Sequence, residues 1–217
     1  MFEIIPGILE KDWESIEKKL QLIKPFAKAV HIDILDGKFA NNTTFLDPKP
    51  FEKYTGEMLF ELHMMVDNPL QYVKPFADAG FRRFIGHVEK MPDQVAFVAE
   101  AEQYGEVGLA VDGPTPIEAV KVNYEDLDVL LVMTITAGFS GQAFDPKHLE
   151  KIKAAQKKAE YLNIEVDGGI NGKTIVTAKE HGANRFISTS FLYGAEDVHK
   201  QFQLLNNCVQ PTWDGQK

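Results

Sequence analysis

The sequence predicts a single-domain (β/α)8 barrel of the TIM type. Three observations carry that prediction. Short apolar segments alternate with amphipathic ones from end to end, eight such apolar segments can be counted, and 217 residues suffice for one such barrel without a second domain. The composition, 44% apolar and 25% charged, is that of a chain that builds one core rather than staying disordered.

The first expected strand, Glu3 to Leu9, is followed by a 3.6-residue period over Asp12 to Ile23 that reads as a helix. Ala29 to Ile34 and Leu59 to Met65 are the next two strands, with a helix expected over Leu70 to Ala79. Arg83 to His87 is the fourth strand, and Val95 to Tyr104 the helix after it. Val107 to Val111 and Val129 to Thr134 follow, then a helical period from Pro146 to Leu162. Ile164 to Asp167 and Arg185 to Ser188 complete the eight. Pro69, Pro116 and Pro146 mark helix starts, with Asn68, Thr115 and Asp145 as caps, while Gly80, Gly105 and Gly182 mark stops. A doubly wound open sheet would also alternate strand and helix. It would offer a glycine-rich first turn, and Gly7-Ile8-Leu9-Glu10 is not one. The barrel is expected over residues 1–205, with Asn206 to Lys217, polar and holding Pro211, Trp213 and Gly215, as a tail.

Charge narrows the function. With 23 basic against 32 acidic residues the net charge is −9, and the basic residues form no stripe, so neither nucleic acid nor an anionic membrane surface is an expected partner. The opening Met1-Phe2-Glu3-Ile4-Ile5-Pro6-Gly7 has no basic segment ahead of an apolar stretch, and no apolar run reaches membrane-spanning length. Cys208 is the only cysteine, so no intrachain disulfide is expected, and a reducing cytoplasm is the expected setting.

The chemistry is expected where strands end. Residues two apart on a strand share a face, so His31 and Asp33 point into the barrel together while Ile32 and Ile34 face the helices. Catalytic groups of such barrels sit at the C-terminal strand ends. His63, in Glu61-Leu62-His63-Met64-Met65, and Asp167, in Glu165-Val166-Asp167-Gly168-Gly169, fall at the same height. Two buried carboxylates together are costly without a cation, so the four residues are expected to hold one divalent ion, Zn, Fe, Co or Mn. A single buried His or Asp is more often only hydrogen-bonded, and on that ground His87 is read as structural or as a neighbour of the ligands. His148, His181 and His199 are read as solvated helix residues.

Small residues follow the last three strands: Gly138, Ser140 and Gly141, then Gly168 and Gly169, then Thr189 and Ser190. Backbone N–H groups of such loops suit a phosphate, although a glycine after one strand can merely serve a tight turn. No Lys or Arg is placed there, so N–H dipoles are expected to do most of the binding.

These residues resemble the ribulose-phosphate 3-epimerase family. The likeness rests on His31-Ile32-Asp33-Ile34-Leu35-Asp36-Gly37, on Leu62-His63-Met64-Met65-Val66 with Asn68-Pro69, on Gly138-Phe139-Ser140-Gly141-Gln142, and on Glu165-Val166-Asp167-Gly168-Gly169. The resemblance implies a metal-dependent isomerase interconverting D-ribulose 5-phosphate and D-xylulose 5-phosphate, and a homo-oligomer. It implies His31, Asp33, His63 and Asp167 as metal ligands, Asp33 and Asp167 also as the acid/base pair working through a metal-stabilised enediolate, and Met65 and Met133 as packing on the substrate. Departures lie around that core. Gly7 replaces the usual serine, Leu35 a methionine, Lys38 a histidine and Thr136-Ala137-Gly138 the usual Asn-Pro-Gly, while Thr189-Ser190 replaces Gly-Ser. The altered shell leaves open another ketose phosphate, such as allulose 6-phosphate, or a non-catalytic sugar-phosphate or metal-binding barrel. The orotidine-phosphate decarboxylase type of site is disfavoured, because no lysine joins Asp33 and Asp36.

Overall fold

Strands that are buried on both faces are mostly apolar, and the eight here are built that way apart from polar residues such as His31, Asp33, Glu61 and His63. The computed structural model describes residues 2–210. The strands are β1 (Glu3–Ile8), β2 (Ala29–Leu35), β3 (Leu59–Met65), β4 (Arg83–His87), β5 (Glu106–Val111), β6 (Val129–Met133), β7 (Asn163–Asp167) and β8 (Arg185–Ser188). All pair in parallel, in chain order, and β8 closes on β1. The register places Gly7 beside His31, His31 beside Glu61, Asp33 beside His63 and Met133 beside Asp167. The (β/α)8 architecture therefore stands as expected, with strand ends within a residue of the sequence reading.

The helices are α1 (Trp13–Ile23), α2 (Leu70–Asp78), α3 (Gln94–Ala101), α4 (Glu150–Gln156), α5 (Thr174–Glu180), α6 (Ser190–Tyr193) and α7 (Val198–Val209). Asp12 caps α1 by accepting the Ser15 N–H at 2.8 Å, and Asp145 accepts that of Lys147 at 3.0 Å ahead of α4. Four expectations change. Asn68 does not cap α2: its backbone turns left-handed, with φ of 54°. Thr115-Pro116 opens only a 3₁₀ turn, Ile117–Ala119, because Val120-Lys121-Val122-Asn123 is a poor helix former. Pro146 to Leu162 is not one helix but a 3₁₀ turn, Pro146–Leu149, followed by α4. The tail begins later than Asn206, because α7 continues to the fully buried Val209 and places the partly buried Cys208 against Gly172. Positions 211–217, including Trp213, lie outside the described residues.

Alternation divides the core. Even-numbered residues such as Ile32, Ile34, Leu62, Met64 and Val66 meet the helices, with Phe51, Phe76 and Phe81 packed edge to face among them. Inside the barrel, Ile5, Ala29 and Ile187 fill one side, and Leu35, Met65, Ile85, Leu131 and Met133 the other. No helix among the described residues is long and apolar enough to cross a membrane.

Candidate active site and metal centre

His31 and Asp33 face inward from β2, His63 from β3 and Asp167 from β7. One donor atom from each lies within 4.8 Å of all the others. His63 Nδ1 is 2.7 Å and His31 Nε2 3.2 Å from the same oxygen of Asp33. His31, Asp33 and His63 are buried, and Asp167 is partly exposed at the floor of the cavity. Two threonine hydroxyls pin the backbone of the two acids. Thr44 Oγ1 donates to the Asp33 carbonyl at 3.1 Å, and Thr134 Oγ1 to that of Asp167 at 2.9 Å.

Burial and mutual contact set the electrostatics of the four. Burial alone would raise the Asp33 carboxyl, but His31 and His63 outweigh it and hold Asp33 well below the usual carboxylate range. Burial, followed by the neighbouring Asp33 carboxylate, pushes Asp167 up to about 7. His63 is lowered to about 4 by burial and by the imidazoles of His31 and His87, against the pull of Asp33. Two nitrogens and two carboxylates at this spacing suit a divalent metal, so the residues fit such an ion.

Below this group lies a layer of charge. His31 Nδ1 meets Glu61 Oε1, and the other Glu61 oxygen accepts Arg83 Nη1 at 2.6 Å. Arg83 Nε donates to Glu106 at 2.7 Å, and Arg185 Nη2 reaches the same oxygen at 3.3 Å. Glu165 shares the layer, fully buried and with neither oxygen hydrogen-bonded; burial and Glu61 push its pKa well above the usual range. His31, Glu61 and Glu165 could also gather round a cation, but the Arg83 guanidinium already supplies that charge.

Above the four residues opens a cavity lined by Asp33, Met65 and Met133, by Gly138, Ser140 and Gly141, by Asp167, Gly168 and Gly169, and by Thr189 and Ser190. The residues expected to bind substrate or transfer protons thus line one cavity, and His31 and His63 cluster with its Asp33 and Asp167. Gly168 and Gly169 both take positive φ, 113° and 65°, and a Cβ at Gly169 would stand 2.9 Å from the Phe144 nitrogen, so this corner needs glycine. The lining contains no Lys or Arg; Leu9, Ile135, Phe139, Ile170 and Ile187 complete it. The loop after β2 reaches over to the loop after β6, where Asn42 Nδ2 donates to the Gly138 carbonyl at 2.9 Å. His87 lies outside the ligand group, with Nε2 2.9 Å from that of His63. Of the helix histidines only His199 is exposed, stacked on Phe26; His148 and His181 are partly buried, and His181 bonds the Thr177 carbonyl.

The sequence model of the Ribulose-phosphate 3 epimerase family matches residues 3–193. The chain belongs to that family. It is 33% identical over 213 residues to the ribulose-phosphate 3-epimerase of Schizosaccharomyces pombe, covering 95% of this chain and 93% of that one. It is 32% identical over 209 residues to that of Bacillus subtilis, covering 92% and 96%. The cytoplasmic isoform from Oryza sativa is 33% identical, covering 96% and 94%. Among solved structures, KGPDC from Streptococcus mutans superposes with a TM-score of 0.77 at 10% identity, covering 97% of this chain and 98% of that one. The 3-hexulose-6-phosphate synthase from Salmonella typhimurium gives 0.70 at 13%, covering 95% and 97%. At such identities these two likenesses speak for the fold alone. As a member of the ribulose-phosphate 3-epimerase family, the chain is an isomerase acting on carbohydrates.

Glu61, Glu165, Arg83 and Thr44 were not among the residues singled out in sequence. The first two stand two positions before His63 and Asp167, so the period of two that pointed to the candidate ligands also points to them.

Proposed function

We propose that the chain epimerises C3 of D-ribulose 5-phosphate to give D-xylulose 5-phosphate, with Asp33 and Asp167 as the two proton-transfer groups. The observation that carries this reading is the pair of carboxylates on β2 and β7, which meet across one cavity floor beside two imidazoles. Inverting a carbon next to a carbonyl requires a base on one face and an acid on the other. One aspartate takes the C3 proton as the carboxylate, leaving an enediolate. The other, protonated beforehand, gives its proton to the opposite face, so one carboxyl gains the proton that the other loses. A divalent ion held by His31, Asp33, His63 and Asp167 would supply Lewis-acid stabilisation of the negative charge that develops on oxygen. The phosphate is assigned to the backbone N–H groups around Gly138, Ser140, Gly141, Gly168, Gly169, Thr189 and Ser190, with Met65 and Met133 packing on the sugar. The same reading places the enzyme in the cytoplasm, in keeping with the relative named as a cytoplasmic isoform.

The test is incubation of metal-replete protein with ribulose 5-phosphate in D₂O. Deuterium at C3 by NMR, together with xylulose 5-phosphate, is the expected result. Absence of both from protein that carries one bound ion refutes the pentulose assignment.

A further inference from the structure

His87 and Glu89 stand outside the ligand group, yet they continue it by hydrogen bonds. His63 turns Nδ1 towards Asp33 and Nε2 the other way, 2.9 Å from His87 Nε2. Two imidazole nitrogens at that distance share a single proton, one donating and the other accepting. The far end of the chain decides which. His87 Nδ1 lies 2.9 Å from Glu89 Oε2, and Glu89 Oε1 accepts the Asp112 N–H at 2.8 Å. The carboxylate serves as an acceptor at both oxygens, so His87 carries its proton on Nδ1 and leaves Nε2 bare. With an ion on the Asp33 side of the ring, the proton between the two rings then belongs to His63 Nε2, and His63 Nδ1 keeps the lone pair that the ion needs. Both rings are fully buried, and Phe39 packs over His87 at 4.6 Å, so solvent reaches this relay only at its Glu89 end.

We propose that Glu89 and His87 are positioning residues that hold His63 in its Nε2–H tautomer, so that bare Nδ1 faces the metal group. The inference rests on the reading of that group as a metal site. An ion placed between His63 Nδ1 and Asp33 requires this nitrogen to be unprotonated, and the His87–Glu89 pair keeps the ring's proton at the opposite end. His31 reaches the same result through the other nitrogen: its Nδ1 is engaged by Glu61, and Nε2 faces the group. The two histidines therefore present different nitrogens to the metal, a distinction that spectroscopy can read.

The experiment uses ¹⁵N-labelled full-length protein loaded with zinc as the only ion, with long-range ¹H–¹⁵N correlation of the rings and zinc affinity measured by chelator competition. His63 is expected to be protonated at Nε2 and coordinated at Nδ1, and His31 the reverse. His87→Phe should weaken zinc about 10- to 100-fold. His87→Gln, which keeps an acceptor towards His63 and a donor towards Glu89, should recover most of that loss, a rescue that simple filling of space would not give. A wild-type spectrum with His63 coordinated at Nε2, or His87→Phe binding zinc as tightly as wild type, overturns the inference while leaving the metal site intact. Folded wild type that takes up no zinc, with His63→Ala no different, overturns the metal reading itself. Should His87→Phe fail to fold, the wild-type spectrum alone decides.

Discussion

Gly7 stands on the inner face of β1 beside His31, under the side chain of Thr189. A Cβ at position 7 would come within 2.4 Å of Thr189 Oγ1 and 2.9 Å of Ile187 Cγ2, both closer than real Cβ contacts allow, whereas Thr189 Cβ at 3.7 Å would be in ordinary contact. Gly7→Ser therefore forces Thr189 and Ile187 aside in a packed barrel, at about 1–3 kcal/mol. For a chain of this size that lowers Tm by roughly 2–12 °C. Thr189→Ala removes the nearer obstacle, so Gly7→Ser/Thr189→Ala should be more stable than the sum of the single variants, with a coupling of about 0.5–3 kcal/mol. Rescue should be partial, because Ile187 Cγ2 stays where it is. Urea denaturation of the four proteins, with the m-value unchanged across them, measures this cycle. Strict additivity, or a Gly7→Ser variant as stable as wild type, would refute the argument that the two positions are sterically linked. They are also two of the positions at which the chain departs from its family's usual residues, so the linkage would make those departures one event.

Asp33→Asn and Asp167→Asn should each lower epimerase turnover by about 10²- to 10⁴-fold while the protein stays folded, as followed by coupled assay and circular dichroism. Turnover within a few-fold of wild type in either variant would remove that residue from the proton-transfer pair. Arg83→Met strips the guanidinium from Glu61 and Glu106, and leaving Glu61 charged and buried should cost about 3–5 kcal/mol. Adding Glu61→Gln should return part of that cost in thermal melts. Burial works to raise the Glu89 carboxyl, but the His87 and Asp112 contacts take it from 4.5 down to about 2, so its ionised form stabilises the fold above pH 4.5 and that contribution is lost as pH falls through about 2. The urea midpoints of wild type and Glu89→Gln should therefore differ at neutral pH and converge on acidification; a gap that widens instead would contradict the sign. Chelation should lower both Tm and activity, and readdition of a divalent ion should restore them together.

The strands were legible because each must be apolar on both faces, and a continuous run such as Val129-Leu130-Leu131-Val132-Met133 has few other uses. The His/Asp cluster was legible because polar residues break those runs with a period of two. Thr44 was not, since its hydroxyl reaches Asp33 from a loop whose path no periodicity encodes. The connection after β5 misled for a local reason: Thr115-Pro116 carries the chemistry of a helix start, but the β-branched residues behind it do not sustain a helix. The relation of Gly7 to Thr189 lay hidden because their adjacency exists only once β8 closes on β1. His87 could be set apart from the ligands in sequence, but its contact with His63 depends on how β3 and β4 align.

The charged layer beneath the candidate metal group links Glu61 of β3, Arg83 of β4, Glu106 of β5 and Arg185 of β8, with one Glu106 oxygen shared by both arginines. A change at Glu61 or Arg83, both buried, strands charge on a neighbouring strand, so the layer resists exchange one residue at a time there. Drift among relatives should therefore alter these positions in concert or leave them alone. Directed evolution that samples single sites should find this stratum frozen.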